Sequence, residues 1–434
     1  MDQLLLKPID HVAGEISLPG SKSLSNRALL LSALATGQTR LHNLLHSDDT
    51  DRMLEALRQM HVAVDIAVDI NGEGTDCTVT GLGELFTPPN ETKFSLGNAG
   101  TAIRPLTSML SLCDGTFIID GDDYMRERPI DHLVDALRQL GADIQYLGKP
   151  GCPPIQLIGG RISGGHVSIR GDISSQYLTA LLMSLPLAVK DSVIEVIGEQ
   201  VSKPYLDITL GIMAQYGVTA THENYQVFYI KGRQQYVSPD NYLIEGDASS
   251  ASYFFAAAAI KGGTVRVNGL GRDSVQGDIA FLDVIEQMGA TVTRHESWIE
   301  VTRGGPLQAI DLDLNHIPDA AMTVAMLALF ADGTSRIRNI YNWRVKETDR
   351  MTAMATELVK LGAEIETGDD YIVITPPKTI LPATIDTYGD HRMAMCFSLA
   401  ALGDSPITIN DPGCVAKTFP DYFSVLQQIT RPKP

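Results

Sequence analysis

Apolar and polar positions along this chain sort into two kinds of segment that alternate. In the first kind, apolar residues leave no polar face. It reads "SNRALLLSALATGQTRLHNL", "GTAIRPLTSMLSLCDGTFIIDG", "SSQYLTALLMSLPLAVKDSVIEVIG", "SSASYFFAAAAIKGGTVRVNGL", "PDAAMTVAMLALFADGTSRIRNI" and "GDHRMAMCFSLAALGDSPITIND". Each begins with a polar cluster, continues as a helix apolar nearly all round, turns, and ends in a β-branched strand. A helix with no polar face is buried on every side. The second kind is amphipathic, with apolar residues three and four apart. Five forms are "DRMLEALRQMHVAVDI", "DHLVDALRQLGADIQY", "DITLGIMAQYGVTATH", "DIAFLDVIEQMGATVTRH" and "ATELVKLGAEIETG", and "DYFSVLQQI" is a short sixth. Most end at a glycine suited to close a helix.

One unit, roughly α-β-α-β-β, is thus repeated six times. With Asn26, Thr101, Ser175, Ser250, Asp319 and Asp390 as openings of the apolar helices, the spacings are 75, 74, 75, 69 and 71 residues. That period exceeds those of ordinary solenoids. Three units make a normal domain of about 220 residues. The linker-like "KGRQQYVSPDNYLIEGD" separates the third from the fourth.

Parallel buried helices would aim their N-termini one way, and each N-terminus favours anions through free N–H groups and the helix dipole. Against this background the cations at the openings are informative. Serines in "SKSLSNR" are ordinary caps, but Lys22 and Arg27 oppose the dipole and call for an anion. Arg392 in "YGDHRMAM" is in the same position, with Asp390 as the expected cap. Gly97 and Gly100 in "LGNAGTAIRP" serve a tight turn or let a ligand approach the backbone. In "GDISSQY", Ser174, Ser175 and Gln176 offer hydroxyl and amide groups suited to phosphate. Asp319 in "HIPDAAMT" reads first as an N-cap, with catalysis the minority reading. In "NWRVKETDRMTAM", Lys346 and Arg350 lie four apart, and Glu347 and Asp349 are available to neutralise them. Lys417 in "CVAKTFPDYF" is an ordinary surface lysine on its own. The acids of "HSDDTDRM" open an amphipathic helix and read as capping and dipole compensation rather than a metal site.

The formal charge is −18, from 34 basic and 52 acidic residues. This argues against nucleic acid or an anionic membrane as partner. Cys77, Cys113, Cys152, Cys396 and Cys414 are odd in number and scattered, as free thiols of a reducing compartment are. No leader and no apolar run of membrane-spanning length is visible. The expectation is a cytoplasmic protein of small-molecule chemistry.

Ten ordered motifs carry a resemblance over essentially the whole chain: "LPGSKSLSNRALLLSALA", "LGNAGTAIRP", "RERPIDHLVDALRQLGA", "GDISSQYLTALLM", "VSKPYLDIT", "EGDASSASYF", "HIPDAAMT", "IYNWRVKETDRM", "YGDHRMAM" and "AKTFPDYF". The chain resembles the 5-enolpyruvylshikimate-3-phosphate synthases. The resemblance implies an α/β fold of two inside-out α/β barrel domains, each of three repeated units with buried parallel helices. It places residues 21–245 in one domain, residues 1–20 and 246–434 in the other, and the active site in the cleft between them. It also implies transfer of the enolpyruvyl group of phosphoenolpyruvate to the 5-hydroxyl of shikimate 3-phosphate by addition and elimination. No metal or organic cofactor takes part, and a monomer inhibited by glyphosate is expected.

Residue by residue, the resemblance assigns shikimate 3-phosphate to Lys22, Ser23, Arg27, Ser174, Ser175, Gln176, Ser202, Tyr205, Asp319, Asn342 and Lys346. Phosphoenolpyruvate falls to Lys22, Asn98, Gly100, Arg128, Gln176, Arg350, His391, Arg392 and Lys417. Lys22, Asp319, Glu347 and His391 are the catalytic candidates. Three positions depart from the family pattern: Leu24 stands where Val is frequent, Tyr124 where Arg is common, and Gly389 where close relatives have Asn. The sister UDP-N-acetylglucosamine enolpyruvyl transferases carry a cysteine in the loop matching Gly121–Pro129, which here has none, and lack S-K-S-x-S-N-R. A nucleotide kinase fails because "PGSKS" is not a P-loop. A non-catalytic anion-binding protein has no need of Asp319 and Glu347.

Overall fold

A computed structural model describes residues 2–68, 75–89 and 91–433. The chain separates into two compact units, Gly20–Ile244, and Met1–Pro19 together with Glu245–Pro434. Each has its own apolar core.

In the unit Gly20–Ile244 the helices are α1 (Lys22–Leu34), α2 (Asp48–Gln59), α3 (Gly100–Leu110), α4 (Asp131–Gln139), α5 (Ser175–Ser184) and α6 (Pro204–Gln215). In the other unit they are α7 (Ala248–Lys261), α8 (Phe281–Gln287), α9 (Ala321–Ala328), α10 (Arg350–Lys360), α11 (His391–Ser398) and α12 (Tyr422–Ile429). The odd-numbered helices are the apolar ones. Every residue of α9 and α11 is buried, and in α1 all but Ser23 are. Even-numbered helices bury one face: in α4 this is Leu133, Val134, Ala136 and Leu137.

Side-chain contacts join the three buried helices of each unit to one another. Asn26 Nδ2 donates to Thr101 Oγ1 at 2.6 Å, joining α1 to α3, and Arg104 Nη1 donates to Gln176 Oε1 at 2.6 Å, joining α3 to α5. In the other unit the Ser252 and Thr323 hydroxyls meet at 2.8 Å, and Thr323 lies 4.0 Å from Cys396 Sγ, linking α7, α9 and α11.

The repeat contains one more strand than its apolar pattern predicts. A short strand precedes each buried helix and lies parallel to the strand after it, as Thr92–Ser95 does to Thr116–Asp120 around α3. The antiparallel hairpin Asp143–Tyr146 and Ile155–Ile158 completes that sheet. The same order recurs around α5 with His166–Arg170 and around α9 with Asp311–Asp313. Two repeats borrow this strand from a distance. Asn241–Leu243 lies parallel to Gln38–Leu44, and Gly14–Ser17 lies parallel to Thr264–Asn268. These strands are four residues or fewer, too short to show an alternating pattern. Among the described residues no helix is long and apolar enough to cross a membrane.

Candidate active site

The openings of α1, α3 and α5 gather one set of the expected side chains. At α1, Arg27 is nine-tenths or more buried. Its Nε donates to Thr209 Oγ1 at 2.9 Å, its Nη1 to the Ser23 carbonyl at 2.9 Å, and its Nη2 to the Tyr205 carbonyl at 3.5 Å. All three acceptors are neutral, and burial pulls the guanidinium pKa down to about 10. A bound anion would remedy this underpaired charge. Lys22, also buried, lies 3.4 Å from Asp49, an acid of the first turn of α2. Ser47 caps that helix, and Asp48, Asp49 and Asp51 lie in its first turn, where acids offset the helix dipole. Neither Ser23 nor Ser25 caps α1: its N-cap position is Ser21, and Ser25 Oγ accepts from Leu45 N–H.

Around α3, Arg128 Nη1 donates to both the side-chain and backbone oxygens of Asn98, at 2.7 and 3.1 Å. Gly97 and Gly100 differ in their need for glycine. Gly97 has φ +53°, where a side chain is strained. Gly100 needs room instead: a Cβ there would lie 2.4 Å from Arg104 Nη1, 3.0 Å from Arg128 Nη2 and 3.2 Å from Gln176 Oε1. Ser174 caps α5 by accepting from the Gln176 N–H. Ser175 is the first residue of that helix and is buried. Ser202, buried with φ +55°, precedes α6 and Tyr205. A serine held in the left-handed region marks a locally strained backbone.

Arg104 was not among the residues singled out, yet it organises this cluster. Its Nη1 holds Gln176 Oε1, its Nη2 donates to the Pro129 carbonyl at 3.1 Å, and its guanidinium lies 5.4 Å from the centre of the Tyr177 ring. The motif "GTAIRP" displayed it. Nothing in the spacing linked it to Gln176, 72 residues on.

The other unit holds a compact charge network. Asp319 does not cap α9, whose N-cap position is Ala320. Its Oδ1 instead meets Arg350 Nη1 at 3.0 Å and Lys346 Nζ at 3.3 Å, and its Oδ2 meets Arg392 Nη2 at 2.9 Å. Burial alone would raise its pKa, but Arg392, Lys346 and Arg350 together hold the carboxyl well below the ordinary range. Arg350 is the hub. Besides Asp319 it binds Glu347 Oε2 through Nη2 at 2.7 Å, and Asp390 through Nε at 2.7 Å and Nη2 at 3.3 Å. Asp390 caps α11 as expected, accepting from the Arg392 N–H. His391 is the first residue of α11, fully buried, with Nδ1 3.5 Å from Asp390.

Three further local readings in this unit are corrected. Lys346 is not on a helix with Arg350, because α10 starts at Arg350 and Lys346 closes a 3-10 turn, Tyr341–Val345. Asp349 caps α10 and pairs with Arg344 rather than with Lys346. Lys417 is buried and not a surface lysine. Asn342 is buried in the 3-10 turn next to Trp343, whose indole N–H donates to the Pro318 carbonyl at 2.7 Å and so ties the turn to Asp319.

Asp278 carried no signal in the sequence. It is buried, accepts a hydrogen bond from the Ser249 hydroxyl in the first turn of α7, and is pushed up to about 7 by burial and then by the charge of Asp319. Tyr124 is exposed. Gly389 has φ +66°, a conformation that Gly and Asn share most readily, so this departure from the family pattern leaves the backbone unchanged.

Buried cations at the openings of the apolar helices, with carboxylates set among them, define an enzyme site for small polyanions rather than a passive surface. The EPSP synthase family (3-phosphoshikimate 1-carboxyvinyltransferase) matches residues 6–426, and the chain belongs to it. The 3-phosphoshikimate 1-carboxyvinyltransferase of Pseudoalteromonas atlantica is 59% identical over 98% of this chain and 98% of its own. That of Tolumonas auensis is 58% identical over 99% of this chain and 100% of its own. A solved EPSP synthase from Acinetobacter baumannii superposes with a TM-score of 0.83 at 26% identity, covering 100% of this chain and 99% of that one.

Proposed function

We propose that this chain transfers the enolpyruvyl group of phosphoenolpyruvate to the 5-hydroxyl of shikimate 3-phosphate, releasing phosphate. The observation that carries the reading is the placement of Asp319. It forgoes the helix cap and sits among Lys346, Arg350 and Arg392, where a cap alone would need no cation. Each substrate brings a phosphate and a carboxylate, which match the buried cations of both units. Shikimate 3-phosphate is held by Lys22, Ser23, Arg27, Ser174, Ser175, Gln176, Ser202, Tyr205, Asp319, Asn342 and Lys346. Phosphoenolpyruvate is held by Lys22, Asn98, Gly100, Arg128, Gln176, Arg350, His391, Arg392 and Lys417. Arg350 already commits four N–H donors to carboxylates, one from Nε, one from Nη1 and two from Nη2. It therefore acts mainly by holding Asp319, Glu347 and Asp390 in place.

In the addition step the 5-hydroxyl oxygen bonds to C2 while a proton enters C3. Asp319 takes the hydroxyl proton and Glu347 delivers the proton to C3. In the elimination step Glu347 takes a C3 proton back, the C2–O bond to phosphate breaks, and Lys22 protonates the leaving group. A carboxylate held well below the ordinary range is a weak base. When substrate anions draw on Lys346 and Arg392, less positive charge stabilises Asp319 and its basicity rises. The base is thus strengthened by the binding of the substrates it serves. The test is phosphate release from shikimate 3-phosphate plus phosphoenolpyruvate with a chelator present. Turnover requiring both substrates supports the reading. Turnover with UDP-N-acetylglucosamine instead overturns it.

A further inference from the structure

One helix grips both ends of the loop that leads into α11. At the front of the loop, Glu357, two turns along α10 and fully buried, accepts from the Asp386 N–H at 3.2 Å and from the Tyr388 hydroxyl at 2.7 Å. At the back, Arg350, the first residue of α10, holds the carboxylate of Asp390. Between them the backbone turns through two left-handed residues, Tyr388 at φ +55° and Gly389 at φ +66°. A tyrosine in that region is strained and persists only when its surroundings enforce it. The enforcement is visible. Lys360 Nζ bridges Glu357 Oε2 at 2.8 Å and Asp386 Oδ2 at 2.9 Å, and Asn410 Nδ2 donates to Asp386 Oδ1 at 2.6 Å. Burial and then the Glu357 carboxylate push the Tyr388 phenol up to about 12, so it remains a donor.

We propose that Glu357 and Tyr388 form a positioning clamp for phosphoenolpyruvate binding, setting the turn at residues 386–390 so that His391 and Arg392 open α11 in the orientation the anion requires. Neither residue touches substrate. Their effect passes through Asp390, which caps α11 and fixes the Arg392 backbone at 2.9 Å. The inference rests on the function proposed above, in which His391 and Arg392 belong to the phosphoenolpyruvate set.

Tyr388→Phe tests it, because it removes only the hydroxyl from a side chain that is partly exposed and keeps the ring. The expected result is a phosphoenolpyruvate KM raised about fivefold or more, with the shikimate 3-phosphate KM changed less than twofold and the thermal transition still cooperative. Tyr388→Gly relieves the strained φ but lacks the hydroxyl, and the same selective rise is expected. A lowered Tm with both KM values and kcat unchanged overturns the clamp and leaves a structural contact. Equal losses for both substrates overturn it as well. If the wild-type protein itself fails to turn over the two substrates, the parent reading falls, a result that neither variant can mimic.

Discussion

Asp319→Asn separates a structural carboxylate from a catalytic one. The amide is isosteric and keeps an oxygen toward Arg350 and Lys346, but it turns an N–H₂ donor toward Arg392 and removes the negative charge. The network of Lys346, Arg350 and Arg392 against Asp319, Glu347 and Asp390 is neutral as it stands, three positive charges against three negative. The substitution leaves it one positive charge in excess. Breaking a buried pair costs about 3–5 kcal/mol. Here Arg350 retains Asp390 and Glu347, and Asp319 is 16% exposed in its side chain, so the lower end of that range is the expected loss. The excess positive charge should at the same time improve anion binding. The prediction is a split: kcat down by about 10²-fold or more from loss of the base, with the phosphoenolpyruvate KM unchanged or lower. Steady-state phosphate release and denaturant unfolding measure the two sides. A destabilised variant with near-normal kcat would refute the assignment of a base. A rise in KM matching the fall in kcat would refute the charge argument.

Gly100→Ala places a methyl carbon 2.4 Å from Arg104 Nη1, forcing that guanidinium to shift. Glyphosate is longer than phosphoenolpyruvate, so its inhibition constant should rise by more than the donor KM, and equal losses would sink the steric account. Arg104→Lys loses one of the two guanidinium bonds to Gln176 and Pro129. One charge-assisted bond is worth about 1.5 kcal/mol, so the phosphoenolpyruvate KM should rise about tenfold, and an unchanged KM would make Arg104 purely structural. For Asp278 the folded pKa, about 7, lies above the ordinary 3.8, so the folded protein keeps a proton that the unfolded chain has released. Stability from this group is full below the unfolded pKa and falls as pH rises through the folded one, by at most about 1.4 kcal/mol per pH unit. Asp278→Asn should therefore gain in Tm relative to the parent from about pH 4 up to about pH 7, and parallel Tm–pH curves would contradict the shift.

The long periodic features were legible because they are local. A helix apolar on every side, such as α9 or α11, needs no partner to announce its burial, and the spacing of six such helices revealed the repeat. The short leading strands were not legible, since their identity lies in what they pair with: Gly14–Ser17 becomes a strand by lying beside Thr264–Asn268, some 250 residues away. Site residues divide in the same way. Arg27 and Arg392 stood out because a cation at a helix N-terminus contradicts local electrostatics, and the contradiction itself pointed to an anion.

Asp319 shows the opposite case, in which a good local explanation concealed a tertiary one. An aspartate just before an apolar helix satisfies the capping rule so well that the sequence offers no conflict to notice. The helix begins two residues later, and three cations from two other segments claim the carboxylate. Asp278 is harder still, because its defining property, a proton retained toward neutral pH, arises from burial and from the neighbouring Asp319, neither of which lies in its own segment. Local rules therefore find functional residues where they are violated. Where a functional residue also satisfies a local rule, only the partners assembled by the fold distinguish the two roles, and for Asp319 those partners are the cations.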